Sequence, residues 1–135
     1  MKNMMKERRS GCVETEFERA KAAIEAMRIG AADTEEEIHM QAARMFENAG
    51  LAAEHEVRLA PRCRIDFMIG TTGIEIKKKR PQRGTLIAQL ARYAACPQVE
   101  RLIVLAPRGV DLPNQMEAKP VTMMSLEKLW GISLP

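Results

Sequence analysis

Aromatic side chains are scarce: one Trp, one Tyr and three Phe stand among 135 residues. The chain lacks the material for an aromatic platform on which single-stranded nucleic acid stacks, and its core must rest on Ile, Leu, Val, Met and Ala. The three cysteines, Cys12, Cys63 and Cys96, are odd in number and widely spaced, with no C-x-x-C pair. That pattern argues against a disulfide framework or a zinc ribbon and points to a reducing cytoplasm. Neither Cys63 nor Cys96 has a His or another base beside it, which argues against thiol catalysis. No apolar run approaches the roughly 20 residues of a membrane span. The basic, polar stretch Met1–Ser10 lacks the apolar segment of a secretory signal. Internal repeats, low-complexity tracts and glycine-rich phosphate loops are missing too; Gly70 and Gly73 bracket a turn.

What is present fits one globular domain, with 46% hydrophobic and 29% charged residues. Residues 1–12 read as a flexible basic tail and 13–135 as the domain. The net charge of +3 is unevenly placed. Lys77, Lys78, Lys79, Arg80 and Arg83 cluster in one short stretch, whereas Glu14 to Glu56 is rich in acids. Such a cluster suits an anionic partner such as nucleic acid, or is simply a solvated basic loop.

Periodicity predicts a helix over Val13–Met27, with Phe17, Ala20, Ile24 and Met27 on one face and Gly30 as a stop. A second helix starts near Thr34. Thr34 with Glu37, or Asp33 with Glu36, forms a capping box, and Ile38, Ala42, Met45, Phe46 and Ala49 make the buried stripe before Gly50. Three strands follow, at Glu54–Leu59, Arg64–Ile69 and Ile74–Lys79, the last two joined by Gly70-Thr71-Thr72-Gly73. A helix over Thr85–Ala95 leads to a buried strand, Arg101–Ala106, placed parallel to an earlier one by a right-handed crossover. A short strand at Pro120–Met123 and a helix at Ser125–Trp130, closed by Gly131, complete the chain. The fold class is α/β: a mixed central sheet flanked by helices, in the order αβββαβ, with its core over about 34–107.

With a four-residue loop, Ile69 pairs with Ile74, Met68 with Glu75, Phe67 with Ile76 and Asp66 with Lys77. Alternation then puts Ile65, Phe67, Ile69, Ile74 and Ile76 on one face and Asp66, Met68, Glu75 and Lys77 on the other. Two carboxylates so placed can bind a hard divalent cation, Mg²⁺ or Mn²⁺, with the Ile76 carbonyl as a further ligand. Lys77 can orient water or stabilise charge on a phosphate. The competing reading is a cross-strand ion pair on a solvated face. His39 sits mid-helix, and alternation separates His55 from Glu54 and Glu56, so the histidines form no metal site on this reading.

The stretch Arg64-Ile-Asp66-Phe-Met-Ile-Gly-Thr-Thr-Gly-Ile-Glu75-Ile-Lys77 resembles the core signature of the PD-(D/E)xK nuclease superfamily, with Ile65 where a Pro is usual. Gln89-Leu-Ala-Arg-Tyr93 resembles the Q-x-x-x-Y motif of its recombination-type exonucleases. The resemblance covers roughly Thr34 to Pro107. It implies a restriction-endonuclease-like fold and a magnesium- or manganese-dependent deoxyribonuclease. Asp66, Glu75 and Lys77 would be catalytic, with Gln89 assisting near the metal or phosphate. A helix carboxylate, Glu35 first and Glu36 second, would join Asp66, Glu75 and Ile76 at the metal; alternatively these acids only offset the helix dipole. Lys78, Lys79, Arg80, Arg83 and Tyr93 would meet the DNA backbone, unless Tyr93 belongs to the core and Gln89 to the surface. The small size is similar to phage and mobile-element members, including virus-type replication-repair nucleases, which often act as homodimers. Duplex or branched DNA is the expected substrate, since stacking aromatics are few. A non-catalytic nucleic-acid-binding module and a subunit of a larger complex share the same expected fold.

Overall fold

The computed structural model describes residues 16–27 and 34–126. The expected tail, the start of the first helix, the Gly30 stop, the Asp33 cap and the segment from Glu127 to Gly131 lie outside the described residues.

Helix α1 spans 16–26 and buries Phe17, Ala20, Ala23 and Ile24, with Met27 just beyond it, as the spacing requires. Helix α2, Glu35–Asn48, starts at the Thr34 cap. The Thr34 hydroxyl accepts from the Glu37 N–H at 3.1 Å, and the Glu37 carboxylate accepts from the Thr34 N–H at 3.1 Å. This reciprocal box selects Thr34 over Asp33 and consumes Glu37. The helix ends in a left-handed Gly50 (φ +76°), where Leu51 N–H reaches back to the Phe46 carbonyl at 2.9 Å. The Arg19 guanidinium of α1 also donates to the exposed Ala49 and Gly50 carbonyls, each at 3.2 Å.

Strands β1 (Ala53–Ala60), β2 (Cys63–Ile69) and β3 (Thr72–Ile76) run antiparallel in sequence. Helix α3 (Arg83–Ala94) then returns the chain so that β4 (Arg101–Ala106) lies parallel to β3. Next come β5 (Gln115–Met116) and β6 (Lys119–Ser125), and the six-stranded sheet has the order β1-β2-β3-β4-β6-β5. The strand expected at Pro120–Met123 is therefore longer and runs to Ser125, and the helical residue after it is Leu126. β5 carries no sequence signal because its turn, Glu117-Ala118, adopts positive φ (+50° and +62°) without the usual Asn or Gly.

Apolar side chains pack on both faces. One layer joins α1 and α2 to Phe67, Ile69, Ile74, Ile76, Ile103 and Leu105. The other joins α3 to Ile65, Met68, Leu102, Val104 and Val121. Among the described residues the result is a mixed α/β sheet flanked by three helices, as expected.

The β2–β3 hairpin departs from the expected register. Its loop is the pair Gly70-Thr71, so that Ile69 faces Thr72 and Phe67 faces Ile74. Gly70 takes φ +58° at the first loop position, where glycine is favoured, and a tight two-residue turn replaces the four-residue one. Strand β3 therefore begins two residues early and ends at Ile76. The shift is an even number, so the β3 side chains keep their faces while their partners change. Gly73 is needed here because a Cβ would lie 2.6 Å from Ile65 Cδ1 and 3.1 Å from Leu102 Cδ2.

A second departure decides where the polar residues meet. Ile65 packs in the α3 layer and Phe67 in the α2 layer, although simple alternation puts them together. In β1, Ala53 packs with the α2 layer and Val57 and Leu59 with the α3 layer. Both strands change sides between Glu56 and Asp66. Glu56 takes φ +53° in a strand whose ladder pairs His55 with Phe67 and Val57 with Ile65, and the register itself shifts only farther on, between Arg58 and Ala60.

Candidate functional site

Asp66 lies at this crossing. Its Oδ2 accepts the Ile76 N–H at 2.8 Å, because the β2–β3 ladder has ended and that donor has no strand partner. Ile76, expected to offer its carbonyl to a metal, is thus tied to Asp66 through its N–H. The register change also moves Asp66 away from the expected pairing with Lys77. The partner of Lys77 is Glu75: Nζ stands 3.0 Å from Oε2, two residues apart on one face.

Glu75 is 4% exposed, enclosed between β3 and α3. Its Oε1 lies 3.0 Å from the Tyr93 hydroxyl, which is also 2.9 Å from the Arg64 carbonyl. One phenolic proton serves either acceptor, so the three groups are linked. Burial and the neighbouring Asp66 charge raise the Glu75 pKa above the usual carboxylate value, while Lys77 and Tyr93 oppose the rise. Burial, then Glu75, pushes the Tyr93 phenol up as well. Tyr93 is 2% exposed. That corrects its assignment to the DNA backbone: it belongs to the core and anchors Glu75. Gln89, one turn earlier on α3, is half-buried and makes no side-chain hydrogen bond among the described residues.

On the opposite layer, α2 brings His39 to Asp66. Ile38, Ala42 and Phe46 hold the helix against the sheet, and His39 beside them is buried. Its Nε2 stands 3.5 Å from Asp66 Oδ2 without hydrogen-bond geometry, and it is a buried polar atom with no hydrogen-bond partner. The Asp66 carboxylate raises the His39 pKa against the opposing effect of burial, with smaller help from Glu35 and Glu75. Glu35 itself is exposed in the first turn of α2, and Glu36 is exposed beside it. Glu35, Asp66 and Glu75 do not form a group of three converging ligands. Among the described residues the group that does is His39, His55 and Glu56, whose ligand atoms lie within 4.8 Å of one another, close enough to hold a divalent ion. The expected helix carboxylate is thus replaced, at Asp66, by a histidine.

Strand alternation carried through Glu56 cannot predict this cluster, because the backbone there leaves the extended region. With φ +53° there, His55 and Glu56 are no longer forced to opposite faces. A positive φ at a glutamate has no sequence signature. The approach of His39 had one: it lies one residue after buried Ile38 and three before buried Ala42.

The basic residues divide. Lys79 and Arg80 are exposed and Lys78 is half-buried. The Arg83 side chain bonds the Asp111 carbonyl at 2.6 Å, which fixes the start of α3 to the loop after β4. A cationic cleft lined by Arg58, Arg62 and Arg64 lies at the far end of the β1–β2 hairpin, and spacing gave no hint of it. Cys63 and Cys96 are buried neighbours; burial, then Cys96, pushes the Cys63 thiol up, away from a reactive thiolate.

Comparison with family models, with curated proteins and with solved structures finds no match to this chain. No helix among the described residues is long and apolar enough to cross a membrane.

Proposed function

We propose that this chain is a metal-dependent DNA nuclease of the PD-(D/E)xK type, built on a restriction-endonuclease-like core. The observation that carries the reading is the Glu75–Lys77 pair at 3.0 Å, set beside Asp66 on the neighbouring strand. A buried carboxylate whose ionisation is opposed by burial and by a second carboxylate fits a divalent cation, which would relieve both penalties. Asp66 and Glu75 would hold Mg²⁺ or Mn²⁺, with His39, and not Glu35, as the α2 side chain beside Asp66. When bound, the ion supplies Lewis acidity and lowers the pKa of water.

The chain's own residues do the rest. Tyr93 fixes one oxygen of Glu75, leaving the other toward Lys77. Lys77 balances the carboxylate charge, positions the phosphodiester and stabilises charge developing on it. Lys79 and Arg80, with Lys78, hold backbone phosphates beside the reacting one, and the Arg58, Arg62 and Arg64 cleft extends the cationic surface. With few aromatics to stack bases, duplex or branched DNA is the substrate.

One observation favours the binding-module reading. Glu75 partners Tyr93 and Lys77, and Asp66 accepts the Ile76 N–H, as a polar network of purely structural role would also do. A cleavage assay separates the two. Linear, circular, single-stranded and branched DNA are incubated with Mg²⁺, Mn²⁺ or EDTA, using wild type, Asp66→Asn and Lys77→Ala. The nuclease reading expects metal-dependent cutting that both variants lose. DNA binding without cutting in any metal, by folded protein, favours the module.

A further inference from the structure

The geometry points to a second metal site, formed by His39 Nδ1, His55 Nε2 and the Glu56 carboxylate, that takes a borderline divalent ion of the zinc class and uses Asp66 as the outer partner of His39. It does not depend on the nuclease reading.

The donor set argues first. Two imidazoles and one carboxylate select zinc-like ions over magnesium, which prefers oxygen and keeps its waters. Their ligand atoms already lie within 4.8 Å of one another. His39 Nδ1 and His55 Nε2 are 3.0 Å apart and share a hydrogen bond. Two nitrogens about 2.0–2.1 Å from one ion in a tetrahedral arrangement are about 3.3–3.4 Å apart, so the rings need to separate by only a few tenths of an ångström. His55 and Glu56 are exposed, which leaves an entry path and an open position for water.

The second observation is independent of the cluster. A histidine that ligates a metal usually gives its other ring N–H to a carboxylate, which fixes the tautomer and the ring. His39 has that partner in place: its buried, unpartnered Nε2 stands 3.5 Å from Asp66 Oδ2. Phe67 buttresses the pair, with the His55 ring stacked on it at 4.8 Å and the His39 ring tilted against it at 5.7 Å. Glu56 joins them because its left-handed backbone breaks strand alternation.

The proton balance closes without another reactant. If the proton between the rings sits on His39 Nδ1, binding moves it to Nε2, where Asp66 accepts it. If it sits on His55 Nε2, it moves to Nδ1 at the surface. Each neutral ring keeps one proton, and the ion takes the freed lone pairs. In either case the loaded site has His39 Nε2–H donating toward Asp66, the carboxylate that also stands beside Glu75.

The test is a titration of the full chain with Co²⁺, a coloured substitute for zinc, in buffer holding excess Mg²⁺, with far-UV circular dichroism to verify folding. One equivalent of Co²⁺ should bind with the visible bands of a nitrogen-ligated, low-coordinate ion, and Zn²⁺ should displace it. His55→Ala and Glu56→Gln, both at exposed positions, should each weaken binding at least tenfold. Asp66→Asn should weaken it by about 10–100-fold, as loss of an outer-shell partner does. Glu75→Gln should leave it unchanged, which separates this site from the carboxylate pair. Absence of one-to-one binding by folded protein, or binding kept in His55→Ala and lost in Glu75→Gln, would overturn the proposal.

Discussion

On the α3 side of Asp66, Glu75 has every oxygen engaged, one with Tyr93 and one with Lys77. On the α2 side, His39 is equally buried but leaves Nε2 without a hydrogen-bond partner, and its other nitrogen faces an exposed histidine. The first neighbourhood is closed by hydrogen bonds of 3.0 Å; in the second, Nε2 meets the Asp66 carboxylate only at 3.5 Å. Buried polar groups in native proteins are almost always paired, so an exception marks a place where an ion or a shift in geometry is expected. Regular strand geometry alone generates the Glu75–Lys77 pair, since residues two apart share a face. The histidine cluster requires an irregular backbone at Glu56.

The comparison can be broken most forcefully on the closed side. Lys77→Ala should lower metal-dependent cleavage by about 10²–10⁴-fold, with an unchanged far-UV spectrum. Full activity in that variant would reduce the pair to structure. Next comes Tyr93→Phe, which deletes a buried donor shared by Glu75 and the Arg64 carbonyl. Urea unfolding should show a loss of about 1–3 kcal/mol. A change below about 0.5 kcal/mol would mean that the hydroxyl does not hold the site.

The pH dependence sharpens the contrast. Burial raises the folded-state pKa of Glu75 above its ordinary value of 4.5, so the folded protein binds the proton more tightly than the unfolded chain. Its contribution to stability is fully present below pH 4.5 and is lost as pH climbs from there through the raised value. Wild type should therefore lose stability relative to Glu75→Gln across that window, measured by urea midpoints, and Mg²⁺ should reduce the difference. A flat difference would show that Glu75 titrates normally. The smallest effect concerns the open side. Glu56→Gly should stay within about 0.5 kcal/mol of wild type, because relief of the left-handed strain offsets the added chain entropy. Glu54→Gly, at an ordinary strand position, should cost about 0.5–1 kcal/mol. Equal losses at the two positions would remove the argument that Glu56 is held in a strained conformation.

Much of this was legible beforehand. The α2 cap, the Gly50 stop, the apolar stripes of α1 and α3 and the parallel β4 all follow from local patterns, because capping, periodicity and buried strands leave direct marks on a sequence. The pairing of Asp66 was misread by two residues: Gly70 and Gly73 both suit a turn, and the choice between a two- and a four-residue loop rests on how β3 fits between β2 and β4. Glu35 and His39 are four residues apart and share a helix face, and which of them reaches Asp66 depends on how α2 docks on the sheet.

What the sequence by itself determined is every described element but β5, the apolar faces of the helices and the adjacency of Glu75 and Lys77, since each follows from helix or strand periodicity within a few residues. What only the tertiary structure decided is the meeting at Asp66. There one hairpin crosses from the α3 layer to the α2 layer, Tyr93 reaches a carboxylate 18 positions away, and His39 and His55 come together across 16. Those contacts are set by packing between layers, and no local propensity encodes them.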